Sequence, residues 1–128
     1  MRKSPIKKTL LLALMLVTGY AWGEWVRVSW NDNFDRYIDP STIRKDGNLV
    51  RVWEITDLKQ RHKDGELSRR TRNEYDCKQE RYRILTISSH TGPMASGTTL
   101  ATEGESFTWD YIPPNSIVET VLKKLCAK

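Results

Sequence analysis

The chain has 128 residues and a formal net charge of +5, with 29% of its residues charged. Four of its 21 lysines and arginines (Arg2, Lys3, Lys7 and Lys8) precede an apolar run, so the rest carries 17 basic and 16 acidic residues. That near-neutral remainder removes the global case for a nucleic-acid partner, and the eight apolar residues Leu10 to Val17 fall short of the roughly 20 a membrane-spanning helix needs.

A basic start, a short apolar run and small residues at Gly19, Ala21 and Gly23 follow the order of a cleaved secretory signal. The expected organisation is a signal peptide over residues 1–23, cut after Ala21 or Gly23, and one domain over 24–128. That domain is expected in the periplasm, at the cell surface or secreted, without a transmembrane anchor. No cysteine follows the apolar run to accept a lipid. About 105 residues remain, enough for one core but few enough for a covalent staple to matter. In an oxidising compartment the only two cysteines, Cys77 and Cys126, are expected to pair.

Val26, Val28 and Trp30 alternate with Arg27 and Ser29, the period of a half-buried strand. Asn31 to Asp35 has turn chemistry; Arg36 stands where a calcium loop needs glycine, so a solvated turn is expected. Tyr37 and Ile38 begin an extended piece that Pro40 turns. Asn48 to Leu58 is the strongest strand, rich in β-branched residues and entered from the Asp46-Gly47 turn. Asp64-Gly65 reads as a two-residue hairpin loop, which places Asp57 opposite Arg72, Glu54 opposite Tyr75 and Val52 opposite Cys77.

On that register Val50, Val52, Leu58, Thr71, Tyr75 and Cys77 share one face, the core candidate. Arg51, Trp53, Ile55, Asp57, Arg70, Arg72, Glu74 and Asp76 share the other. Arg81 to Ser88 continues the extended pattern, Thr91 to Gly97 is a loop, and Phe107 to Ile112 reads as a last strand. Ser116 with Glu119 forms a capping box for a helix reaching Cys126, whose apolar stripe holds Ile117, Val121 and Leu125 beside Val118, Leu122 and Cys126. The fold class is therefore α+β: a single antiparallel sheet of about five to six strands, one C-terminal helix on one face, and a disulfide between sheet and helix.

Catalytic chemistry is not indicated. His62 and His90 read as surface loop histidines with no nucleophile or orienting partner nearby. Their spacing, with both cysteines paired, supports no zinc site, and no cofactor is implied. The segment Lys59 to Arg83 holds nine lysines and arginines against five acidic residues. One reading is a solvated hairpin with cross-strand ion pairs such as Asp57 with Arg72. The other is a binding face on which Arg51, Arg70 and Arg72 surround an exposed Trp53 and suit acidic glycans or acidic protein loops.

Several pieces together carry a family pattern: Trp25 and its strand, Tyr37-Ile38-Asp39-Pro40-Ser41-Thr42-Ile43, Val50-Arg51-Val52-Trp53, Glu74-Tyr75-Asp76-Cys77, Tyr82-Arg83, Met94 with Gly97, Trp109, and Pro114-Asn115-Ser116 before the helix ending at Cys126. The chain resembles the surface-adhesin protein E family of exported bacterial proteins. The resemblance implies an antiparallel sheet joined to a C-terminal helix by the disulfide. It also implies an adhesin that binds host extracellular-matrix or serum proteins of the vitronectin, laminin and plasminogen kind. The alternative is a soluble periplasmic structural or envelope-stress protein with no host ligand, since the family is named for a lipid-anchored member and this chain lacks the lipid-site cysteine.

Overall fold

The computed structural model describes residues 24–104 and 107–127. The expected signal peptide lies outside the described residues.

Eight strands form one sheet: β1 (Val26–Trp30), β2 (Phe34–Ile38), β3 (Arg44–Asp46), β4 (Leu49–Leu58), β5 (Ser68–Asp76), β6 (Arg81–His90), β7 (Thr99–Glu103) and β8 (Asp110–Tyr111). Among the described residues one α-helix, α1 (Ile117–Cys126), follows. The sheet runs β1-β2-β4-β5-β6-β7, and every pairing is antiparallel. The expectation of five to six strands was therefore too low. The sheet is six strands wide, but β3 pairs with β4 at Leu49 to Arg51, in line with β2, and β8 pairs with β6 at Arg81 and Tyr82, in line with β7. Pieces of three and two residues are too short to show an alternating pattern.

The long strands form where β-branched residues alternate, and their ends are set by side chains. Asn31 Oδ1 accepts from the backbone N–H groups of Asn33 and Phe34, closing the β1–β2 turn. Asp39 ends β2 by accepting from Ser41 N and Oγ, and a short 3-10 turn, Pro40–Thr42, follows. Gly47, at φ +60, supplies the left-handed position of the β3–β4 turn. In β1 the expected alternation fails. A bulge between Arg27 and Ser29 turns Ser29 inward beside Val28 and leaves Val26 and Trp30 exposed.

The β4–β5 register also differs from expectation. Val52 faces Asn73, Trp53 faces Arg72, and Asp57 faces Ser68. The tight turn does lie at Asp64-Gly65, where Gly65 N donates to His62 O and Asp64 Oδ1 accepts from Glu66 N. Lys59, however, leaves the hairpin and donates its backbone N–H to Asn33 O, so the ladder resumes only at Leu58 with Leu67. The slip is an even number of residues. Each side chain therefore keeps the face read from the sequence, because faces alternate with period two. The expected Asp57–Arg72 pair does not form; Asp57 accepts from Met94 N instead.

Val50, Val52 and Tyr75 form the covered part of one face, joined by Val28, Ile38 and the helix residues Val121, Leu122 and Leu125. Burying each such helix side chain stabilises the fold by roughly 1.5–3 kcal/mol. Ser116 caps α1 by accepting from Glu119 N, Glu119 Oε1 accepts from Asn115 N, and Lys123 and Lys124 sit in the last turn. The disulfide Cys77–Cys126 ties the end of this helix to the end of β5, closing a separation of 49 residues.

Candidate functional site

The sheet face away from α1 carries the residues singled out from the sequence. Alternation along β4 and β5 puts Arg51, Trp53, Arg70 and Arg72 on this side, with Trp53 directly opposite Arg72 and Arg51 opposite Glu74. β6 adds Arg83 opposite Glu74 and Arg81 opposite Asp76. Five arginines thus share one face, though with unequal freedom.

At one end the guanidinium groups are tied down. Glu74 is 2% exposed and bridges two strands: Oε2 accepts from Arg51 Nε at 2.8 Å and Oε1 from Arg83 Nε at 2.9 Å. Burial opposes ionisation of Glu74, but hydrogen bonds from Arg51 and Arg83 outweigh it and hold its carboxyl below the ordinary value. Asp76 accepts from Arg81 Nε at 3.0 Å and from the backbone N–H groups of Lys78 and Gln79. Those donors prevail over burial, so Asp76 is also shifted downward. Trp109 lies against both Arg81 and Arg83, whose guanidinium carbons are 4.5 Å from its ring centroids.

At the other end the arginines are available. Arg70 is exposed and stacks on Trp53 at 5.2 Å from the ring centroid. Among the described residues neither Arg70 nor Arg72 has a carboxylate within ion-pairing distance. A shallow cleft of about 280 Å³ opens here, lined among others by Trp53, Arg70, Thr86, His90, Thr99 and Glu103.

Two sequence expectations change. Trp53 is half-buried rather than exposed, because the Pro40–Thr42 turn lies beside it and Thr42 Oγ1 accepts from Trp53 N. His90 is 6% exposed rather than a surface loop residue. It ends β6, within reach of Ser88 Oγ and Thr99 Oγ1, and burial followed by repulsion from Arg70 lowers its pKa.

The loop read at Thr91 to Gly97 folds across β4 and β5 on this side. Met94 N donates to Asp57 and Ala95 N to Ser68 Oγ, with Met94 and Ala95 in the left-handed region at φ 53 and 60. Sequence reasoning missed Arg81, Arg83 and Trp109 as members of the face. The Arg81-Tyr82-Arg83 alternation was the available signal, whereas Trp109 was assigned to a strand that forms only at Asp110 and Tyr111.

Among the described residues no group of three histidine, cysteine, aspartate or glutamate side chains is placed to hold a metal ion. Nor is any described helix long and apolar enough to cross a membrane.

The sequence matches the profile of surface-adhesin protein E over residues 25–127. The chain belongs to the surface-adhesin protein E family. The match spans every strand, the arginine face and the helix, and membership puts the protein among adhesin-like, exported surface proteins.

Solved structures of Haemophilus influenzae protein E share the fold. Crystal form II aligns with a TM-score of 0.64 at 17% identity, covering 80% of this chain and 87% of that one. The selenomethionine form aligns at 0.64 and 16% identity, covering 81% and 86%. Protein E from a non-typeable strain aligns at 0.61 and 17%, covering 80% and 75%. No curated protein matches the sequence. The antiparallel sheet, single C-terminal helix and sheet-to-helix disulfide expected from the sequence are therefore present.

Proposed function

We propose that this member of the surface-adhesin protein E family is a non-enzymatic binding domain whose arginine face receives acidic loops of host extracellular-matrix or serum proteins. Residues 1–23 act as a signal peptide removed after Ala21 or Gly23, and residues 24–128 are the working domain. The observation that carries the reading is the division of the face. Arg51, Arg81 and Arg83 are committed to Glu74 and Asp76, while Arg70 and Arg72 beside Trp53 have no carboxylate within ion-pairing distance among the described residues. A planar guanidinium held against an aromatic ring is pre-positioned for a carboxylate, and less side-chain entropy is lost when it binds.

Acidic glycans offer the same charge without a protein backbone, so they are competitors in the test. Purified protein is expected to bind immobilised vitronectin, laminin or plasminogen saturably, with affinity falling as salt rises. Arg70→Glu combined with Arg72→Glu is expected to weaken binding at least about tenfold and flatten the salt dependence. Unchanged binding by this variant would exclude the face. Protease added to intact cells separates the surface reading from a periplasmic structural role, since only an exposed domain is cut.

A further inference from the structure

Helix α1 covers only part of the sheet face on which it packs. Beyond Val50, Val52 and Tyr75 the same face continues through Thr56, Thr71 and Asn73, which are buried among neighbouring side chains but lie outside the core that the helix completes and line a hollow instead. Phe34, Leu58, Ile84 and Ile87 flank this stretch, and not one of the four is fully buried. Between them lies a hollow of about 600 Å³, inside the range of roughly 300–1,000 Å³ usual for small-ligand sites.

The lining of the hollow is part apolar and part cationic. On the β6 side Tyr82, Ile84 and Ile87 present apolar surface. Arg36 on β2, Lys59 and Arg61 in the β4–β5 loop and Arg69 on β5 supply the cations, with Asp32 the one lining carboxylate. Two of these cations are neutralised, Arg36 by Glu54 at 3.1 Å and Arg69 by Glu66 at 2.5 Å. The other two are held by neutral groups. Lys59 Nζ donates to Asn31 O at 2.6 Å, and Arg61 Nη1 donates to the carbonyls of Gly65 and Thr91. Among the described residues neither forms an ion pair. Main-chain carbonyls fix the position of Lys59 and Arg61 and leave their charge unspent.

We propose that this hollow is a second binding site, distinct from the arginine face, for a single-headed amphipathic anion. An alkyl chain lies against Ile84, Ile87 and Phe34, and its carboxylate turns toward Lys59 and Arg61. Apolar area supplies affinity, and the fixed cations select the head group. A cationic or uncharged amphiphile of equal length lacks the second contribution, and a short acid lacks the first.

Titration of the purified protein with laurate below its micelle concentration tests this, alongside dodecanol, dodecyltrimethylammonium and butyrate. Laurate is expected to bind saturably at one equivalent and to shift the methyl resonances of Ile84 and Ile87, leaving those of Ile55 on the opposite face in place. The other three compounds are expected to bind at least about tenfold more weakly, the effect of losing one charged contact or most of the apolar area. Lys59→Gln with Arg61→Gln is expected to lower laurate affinity about tenfold while leaving dodecanol unchanged. The proposal is overturned if laurate does not saturate, if dodecanol equals it, or if the shifts fall outside the hollow. The ligand series on the unaltered protein decides this even if the double variant folds poorly.

Discussion

Arg36 on β2 reaches diagonally past its partner Thr56 to Glu54 on β4, with Nη1 donating to Oε1 at 3.1 Å, and the Glu54 side chain is wholly buried. Glu54 Oε2 also accepts from Asn73 Nδ2 at 2.5 Å and from Tyr75 Oη at 2.6 Å. Burial opposes the charge on Arg36, yet attraction to Glu54 leaves its pKa raised. Burial and the Glu54 charge together push the Tyr75 phenol well above its ordinary value. This polar cluster sits where the covered half of the sheet face meets the open half.

Glu54→Gln leaves the Arg36 guanidinium buried without its counter-charge, so a loss of about 3–5 kcal/mol is expected. Removing the cation as well, Arg36→Met with Glu54→Gln, is expected to recover much of that loss, because no uncompensated charge then stays buried and the glutamine oxygen still accepts from Asn73 and Tyr75. Urea unfolding of the two variants checks the order; a single variant as stable as the double contradicts it.

Cys77→Ser removes a cross-link between residues 49 apart in sequence. It is expected to cost about 4 kcal/mol, mostly through greater freedom of the unfolded chain. The measurement is the unfolding free energy without reductant. A change under about 1 kcal/mol would show that packing of α1 alone holds the helix in place.

Acid sensitivity should be concentrated in the carboxylates that arginines hold down. Glu74, Glu66 and Asp76 all have folded-state pKa values below the ordinary 4.5, 4.5 and 3.8. A depressed carboxylate contributes its full stabilisation above its unfolded pKa and loses it as pH falls through the lowered folded value. Stability is therefore expected to decline as pH drops below 4.5. Glu74→Gln should be less stable than the native chain at neutral pH, with the difference narrowing in acid. Thermal unfolding from neutral pH downward measures that slope, and parallel curves for the two proteins would rule Glu74 out as a contributor.

Ser116→Ala removes the acceptor for Glu119 N at the start of α1 and is expected to cost about 1 kcal/mol. Ser116→Asp should retain nearly all the stability, since aspartate accepts the same hydrogen bond and suits the helix dipole. Loss of helix signal in both variants alike would point to a different start for the helix.

The legible parts of the fold were those in which local chemistry and burial agree. Val50, Val52 and Ile55 made β4 unmistakable, and Ser116 with Glu119 fixed where α1 begins. The register was not legible, since Asp64-Gly65 has the composition of a two-residue loop while the slip arises from a bond between Lys59 N and Asn33 O, distant in sequence. The candidate face survived that error only because the slip is even. β7 was missed because Thr99 to Glu103 is exposed throughout and shows no alternation. The hollow escaped notice for a related reason. Phe34, Leu58, Ile84 and Ile87 look like core residues in the sequence, and only the length of α1 reveals that among the described residues they stay half-buried.

The packing of α1 against β1 has a consequence for biogenesis. Among the described elements the first strand and the C-terminal helix, made far apart in time, complete the same core, with Val28 beside the surface that Val121, Leu122 and Leu125 will occupy. Until the helix is made, that surface stays open to water and to other chains, and the contacts that close it span most of the domain, so their loop-closure cost falls late. Closure of this core is therefore a late step of folding, and the interval before it is when the domain depends most on being kept apart from its neighbours.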